Sequence, residues 1–147
     1  MAETGKRQDP FVAFRFEVRF DEEAAYGGFS ECTGLNLETQ LQEYLEGGQN
    51  EFVHKLPTRT VQSNVVLKRG IVDTKLWNWY FELTRGNVIK RNVTILVHDP
   101  SGSEVNMEFR LREALPCKWT GPDLNASQSS VAVETFELCH QGLERRT

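Results

Sequence analysis

From Phe14 to Phe20 the apolar residues Phe14, Phe16, Val18 and Phe20 are separated one by one by Arg15, Glu17 and Arg19. Successive side chains of an extended chain point to opposite faces, so this alternation predicts a strand with one buried and one charged face. The same pattern predicts strands over Arg91 to His98, built on Val93, Ile95 and Val97, and over Glu104 to Leu115. In the latter, Val105, Met107, Phe109 and Leu111 share one face, and Glu104, Glu108, Arg110 and Arg112 lie largely on the other. Asp99-Pro100-Ser101-Gly102 is a turn between these two as hairpin partners. Pro116 bends or ends the longer strand, and Cys117-Lys118-Trp119 resumes the extended chain. Shorter strands are predicted at Phe29 to Thr33, ended by Gly34, and at Val65-Val66-Leu67, and Val131 to His140 closes the sheet.

One segment has helical spacing. Leu76, Trp79, Tyr80 and Leu83 recur every three or four residues, and Trp77 with Phe81 widens the stripe beyond what a solvent-facing helix carries. The helix is expected to begin near Asp73, whose carboxylate can accept from first-turn N–H groups, and to end at Gly86, where a left-handed residue is wanted. The tryptophans read as core. Six or so strands and one helix give a mainly β fold: an antiparallel β-barrel or sandwich with one flanking α-helix.

Two segments are less regular. In Leu35 to Glu46, Leu37, Leu41, Tyr44 and Leu45 fit a helix, whereas Leu35, Leu37, Leu41 and Leu45 fit one face of a strand. Gly47-Gly48-Gln49-Asn50 then turns the chain, and Glu51 to Thr60 reads as a loop carrying Phe52, Val53, His54, Lys55, Leu56 and Pro57. A polar connection with apolar residues set in it suggests a docking surface, and equally fits a loop that folds Phe52 and Leu56 onto its own core. Residues 1–8 read as a flexible arm before Asp9-Pro10, in a chain with one domain over 1–147.

Composition changes this picture little. The 147 residues are 39% hydrophobic and 26% charged, ordinary for a folded domain. A net charge of −4 argues against a nucleic-acid binder, since Lys and Arg are scattered apart from Lys68-Arg69, Lys90-Arg91 and Arg145-Arg146, which read as solvated faces and ends. Cys32, Cys117 and Cys139 are odd in number and lack metal-ligand spacing, which favours reduced thiols. The first nine residues have no apolar export segment, and no run is long enough to span a bilayer, so no membrane anchor is expected.

Catalytic chemistry has little to rest on. His54, His98 and His140 lie in three different segments, and the adjacent Cys139 and His140 point to opposite faces of a strand. Gly27-Gly28 and Gly47-Gly48 lack the strand–loop–helix setting of a phosphate cradle and read as turn glycines. What remains are strands whose alternate residues, Arg15, Glu17, Arg19, Glu108, Arg110 and Arg112, carry mixed charge. Such a face stays wet, as an ordinary outer surface or as the wall of a water-filled channel.

Several stretches together resemble the tail-tube proteins of contractile phages and of phage-tail-like, including extracellular, contractile injection systems. They are Asp9-Pro10, Phe14-Arg15-Phe16, Gly28-Phe29-Ser30-Glu31, Thr33-Gly34-Leu35, Glu43-Tyr44 and Glu46-Gly47-Gly48-Gln49-Asn50. Val53-His54-Lys55-Leu56-Pro57 and Leu67-Lys68-Arg69-Gly70 follow, then Trp119, Gly121-Pro122-Asp123-Leu124-Asn125-Ala126, Val133-Glu134 and Leu138. The resemblance implies a structural subunit without enzymatic activity or cofactor. It implies hexameric rings stacked into a hollow tube within a sheath, with baseplate and tube-terminating proteins as partners and cargo or DNA passing through without specific recognition. It implies an extended conformation for Leu35 to Glu46. It makes Gly47, Gly48, Asn50 and the Phe52 to Pro57 stretch candidates for contact with a neighbouring subunit, together with Asp123, Leu124 and Asn125. Arg15, Glu17, Arg19, Glu108, Arg110 and Arg112 become candidates for the lumen wall. Assembly in the bacterial cytoplasm, as part of a phage tail or a released particle, is the expected setting. The competing reading is a monomeric β-barrel ligand-binding protein whose tryptophans line a pocket.

Overall fold

The computed structural model describes residues 15–21, 28–44, 47–48, 53–99 and 104–146. The predicted arm over 1–8, most of the Asp21 to Gly28 turn, and Asn50 and Phe52 lie outside them. The chain runs through β1 (Phe16–Phe20), β2 (Phe29–Thr33), β3 (Leu37–Tyr44), β4 (His54–Gln62) and β5 (Val65–Gly70). It continues through α1 (Lys75–Thr84), β6 (Arg91–His98), β7 (Val105–Thr120), β8 (Val133–Cys139) and β9 (Gly142–Arg146). Mainly β with one helix is therefore the observed class.

All pairings are antiparallel, in the order β1-β6-β7-β8-β5-β2, with β9 added to β7. β7 belongs to both halves of this sheet. Its first part pairs with β6 and β9 and its last part with β8. Between them Glu113 has a φ of 48°, and the register slips where its extra residue stands opposite β6. A bulge of this kind bends and twists the strand, which lets one long strand turn the corner of a barrel or sandwich. Pro116 does not end β7; a second register shift follows it and the strand runs on to Thr120.

The core sits where the inward residues of both halves meet. Val18, Phe20, Val65, Leu67, Val93, Ile95, Leu111, Phe136 and Leu138 are almost wholly buried, and each such side chain contributes roughly 1.5–3 kcal/mol by leaving water. Helix α1 closes one side with the buried Leu76 and Trp79, and the Trp79 ring packs on Phe20 and Phe136. The Trp79 indole N–H donates to the Ile89 carbonyl at 2.8 Å, so its polar edge is satisfied.

The helix matches expectation at its end and differs from it at two points. It starts at Lys75 rather than Asp73, with Thr74 in the N-cap position, yet Asp73 Oδ1 still accepts the Lys75 N–H at 3.0 Å. It ends as expected at Gly86, with φ of 92°, where the Gly86 N–H donates to Leu83 and the Asn87 N–H to Glu82, the paired bonds of a Schellman stop. Trp77 and Phe81, expected in the core, are 39% and 43% exposed. Their spacing places them beside the buried stripe, on a flank that the described residues leave partly exposed.

Three further corrections concern strands. Residues 54–60, expected as loop, belong to β4 (His54–Gln62), which pairs with β3 as a separate two-stranded ribbon; Pro57 is tolerated there because both strands of the ribbon are edge strands. The tail adds β9, which sequence reasoning did not anticipate. Arg69, read as part of a solvated pair with Lys68, is 1% exposed at the end of β5.

Candidate assembly surfaces

The β3–β4 ribbon is the first surface. Leu37 stands opposite Gln62, Thr39 opposite Thr60, Leu41 opposite Pro57 and Tyr44 opposite His54. Two residues of β4, Thr58 and Arg59, face the single Gln40, whose carbonyl accepts from Thr58 Oγ1 and whose side-chain oxygen accepts from Arg59 Nε. That bulge fixes the register by hydrogen bonds alone. Every residue of β3 is exposed, and Leu37, Leu41, Tyr44 and Leu56 each keep more than half of their surface in water. Leu41 and Pro57 lie on one face and Tyr44 and Leu56 on the other, so the ribbon is apolar on both sides. An isolated two-stranded hairpin is marginal in water, and a ribbon of this composition gains its stability from what covers it.

Of the expected contact residues, Val53 to Pro57 therefore stand on the ribbon or at its edge, and Gly47 and Gly48 form a turn. Asp123, Leu124 and Asn125 are far along the chain in an exposed loop, with Leu124 88% exposed. Asn125 Oδ1 accepts from both the backbone and hydroxyl of Ser127, which shapes that loop locally.

The second surface is the outward side of β1, β6, β7 and β9. Register places Arg19, Thr94, Arg110 and Glu144 in one cross-strand row, and Glu17, Leu96, Glu108 and Arg146 in the next. Arg112 stands opposite Gly142 on the same side, and the Arg15 carbonyl accepts the His98 N–H at the far end. The six mixed charges read from the alternation thus share one sheet face. Neighbours on a strand neutralise one another: Arg19 reaches Glu17 at 3.1 Å and Arg110 reaches Glu108 at 2.7 Å. Glu17 also meets His98 Nε2 at 3.0 Å. Partial burial raises the Glu17 carboxyl, but the His98 and Arg19 hydrogen bonds outweigh it and hold the group below its usual range. Leu96 stands between Glu17 and Glu108 in register and is only 8% exposed on this charged side.

A third feature has no counterpart in the sequence reading. Arg69 Nε donates to Glu134 Oε1 at 2.6 Å, Arg69 Nη2 to Asp73 Oδ1 at 2.8 Å, and the Trp119 indole N–H to Glu134 Oε2 at 2.9 Å. The network ties β5, β8, β7 and the start of α1 together. Strand parity held the signal: Arg69 lies in phase with Val65 and Leu67, and Glu134 in phase with Phe136 and Leu138. Each charge was on a core face.

Chemistry of other kinds is thin. Among the described residues no cluster of His, Cys, Asp or Glu could hold a metal ion. The three cysteines are free, and burial pushes the Cys32 and Cys117 thiols up to about 11, away from the reactive thiolate. Among the described residues no helix is long and apolar enough to cross a membrane.

The comparisons give these surfaces their context. Residues 12–144 match the model of the T4-like virus tail tube protein gp19 family. The chain belongs to that family. It is a structural tail tube protein of the phage-tail and contractile-injection type. In fold it is similar to a chain of the PVC sheath–tube complex of an extracellular contractile injection system in its extended state. That likeness has a TM-score of 0.83 and 25% identity, over 93% of this chain and 91% of that one. A chain of the PVC sheath/tube terminator gives 0.85 and 25%, over 95% and 99%. A chain of the anti-feeding prophage tube-terminating cap gives 0.86 and 24%, over 100% and 99%, and speaks to the fold alone. No curated protein sequence matches the chain at significant similarity. The ligand-barrel alternative finds no support in this tail tube protein. Trp79 is spent on the core, and Trp77 and Trp119 meet edge to face at the surface rather than around a cavity.

Proposed function

We propose that this protein forms hexameric rings that stack into the hollow inner tube of a contractile particle. The carrying observation is the β3–β4 ribbon, which carries exposed apolar side chains on both faces and is covered by none of the other described residues. In a tail tube protein such an element is a contact with neighbouring copies, and a repeated heterologous contact builds rings and stacks. The wet, charge-paired face of β1, β6, β7 and β9 then lines the lumen. Its in-strand ion pairs compensate part of the charge. Arg15, Arg19, Arg110, Arg112 and Arg146 against Glu17, Glu108 and Glu144 leave a diffuse positive excess that offers nucleic acid or protein no specific recognition. Sheath, baseplate and tube-terminating proteins are the partners of the finished tube, by analogy with the particles of the similar chains. The tube is assembled in the bacterial cytoplasm and leaves it in a phage tail or a released particle.

The test replaces Phe52 to Leu56 by a Gly/Ser linker and images the purified protein by electron microscopy. Folded subunits with near-native circular dichroism and no rings or tubes are expected. Tubes of normal length from the linker variant would overturn the reading.

A further inference from the structure

We infer that the flank of α1 formed by Trp77, Phe81 and Arg85, together with Trp119, receives strand β3 of a second copy. This rests on the ribbon acting between copies, as proposed above, and adds the surface on which it lands.

The flank is exposed yet fixed. Trp77, Phe81 and Arg85 are four residues apart and share one helical face. The Trp77 and Phe81 rings stack at 5.8 Å and 19°, Trp119 meets Trp77 edge on at 4.8 Å, and the Arg85 guanidinium lies 5.8 Å from the Phe81 ring centre. Trp119 is held from beneath by Glu134, which the buried Arg69 holds in turn. Gly121 makes room for it, because a Cβ there would come within 3.0 Å of the Trp119 ring. A surface aromatic cluster oriented by buried charges is shaped before its partner arrives, which lowers the ordering cost of binding.

The occupant follows from complementarity. On one face β3 presents Leu37 and Leu41, each more than half exposed, with the acidic Glu43 beside them and opposite Lys55 of β4. Arg85 supplies the opposite charge on the flank; its contact with Glu82 is a loose 3.8 Å at a 64% exposed side chain. Size fits as well: β3 extends ~26 Å at about 3.3 Å per residue, enough to lie across the whole ~15 Å of α1. Two different patches of one chain that fit each other make a head-to-tail contact, the kind that propagates.

The experiment uses the purified full-length chain alone, so that only copies of it can cross-link. A benzophenone amino acid at Leu41 is photoactivated in assembled tubes made from mixed isotopically light and heavy protein. Light–heavy cross-links to the peptide spanning residues 75–85 are expected; light–heavy cross-links confined to other surfaces would overturn the inference and leave the ribbon reading standing. In a second arm Arg85→Glu should raise the concentration needed for assembly about tenfold or more, with Glu43→Lys in the same chain restoring it. Unchanged assembly of Arg85→Glu overturns the inference, whereas a ribbon-replaced chain that still builds tubes overturns the proposed function itself.

Discussion

Arg69 Nε lies 2.6 Å from Glu134 Oε1, and both side chains are only 2% exposed. Two opposite charges have been taken out of water together, and further bonds from Asp73, Trp119 and a cation–π contact with Phe29 at 5.2 Å occupy the rest of the guanidinium and carboxylate. Such a pair is a weak source of net stability, because desolvation offsets most of the attraction. Breaking it is another matter.

Glu134→Ala leaves the guanidinium buried without its main partner and should cost about 3–5 kcal/mol, read as a lowered urea midpoint. Arg69→Met with Glu134→Leu removes both charges and should recover most of that loss. If the double variant is as unstable as the single one, the pair's worth lies in its geometry around Trp119 rather than in its charges.

Gly34 ends β2 with φ of 90°, and a Cβ placed there would lie 2.0 Å from the Asn64 carbonyl oxygen. The contact is with backbone and cannot be relieved by rotating a side chain. Gly34→Ala should therefore shift the β2–β5 junction and destabilise by more than the roughly 1 kcal/mol that conformational preference alone would take. Thermal melting of the variant measures it; a change below that value would show that the Asn64 segment yields freely.

These sites show what the sequence made legible. Strands with one dry and one wet face, β1, β6 and β8, could be read from alternation because their burial pattern is set within the chain. The shared charged face followed from the same parity. Of the ribbon, β3 was expected only through the family resemblance, which made Leu35 to Glu46 extended, and β4 not at all, because among the described residues neither face of either strand is buried and no inside–outside pattern is written into it. Trp77 and Phe81 were misplaced for a related reason, since an apolar residue on the flank of a helical stripe has the same spacing as one at its centre. Arg69 and Glu134 were legible by parity, but only strand pairing shows that they face each other.

Acid should weaken the fold in two steps. Burial keeps the His140 imidazole below its ordinary value of 6.5, so the unfolded chain takes up a proton that the folded one refuses, and stability falls as pH drops below that value. The Asp73 carboxyl is raised by partial burial but lowered more by the Lys75 N–H and Arg69, so it ends below 3.8. Its contribution, and that of Glu17, is present above the ordinary carboxylate range and is lost as pH falls through the depressed values. Urea midpoints measured from pH 7 to 3 should decline first near pH 6.5 and again near the carboxylate range. His140→Gln should flatten the first step and Asp73→Asn the second. A midpoint that stays level down to pH 5 in the unaltered protein would contradict the first assignment.

The charged face separates folding from function most directly. Arg110 is half exposed, its ion pair with Glu108 at 2.7 Å runs along one strand, and its register neighbours Thr94 and Glu144 are polar. An exposed pair of this kind contributes about 0–1 kcal/mol, so Arg110→Glu should leave the melting temperature and circular dichroism nearly unchanged. In an assembled tube the same change removes a positive charge and adds a negative one in every copy. Six copies in a ring, as proposed, would turn the row of Arg19, Arg110 and Glu144 from a positive balance to a negative one, and charge rings are felt strongly in a narrow channel. Retention of an acidic cargo should fall and that of a basic cargo rise, with both effects shrinking as salt screens the wall. Tubes are assembled from the variant and the unaltered protein, loaded with labelled acidic or basic peptides, and the retained label is compared at low and high salt. Equal retention of both peptides in both tubes would place this face on the outside of the tube, and the lumen wall would then have to be sought elsewhere in the sheet.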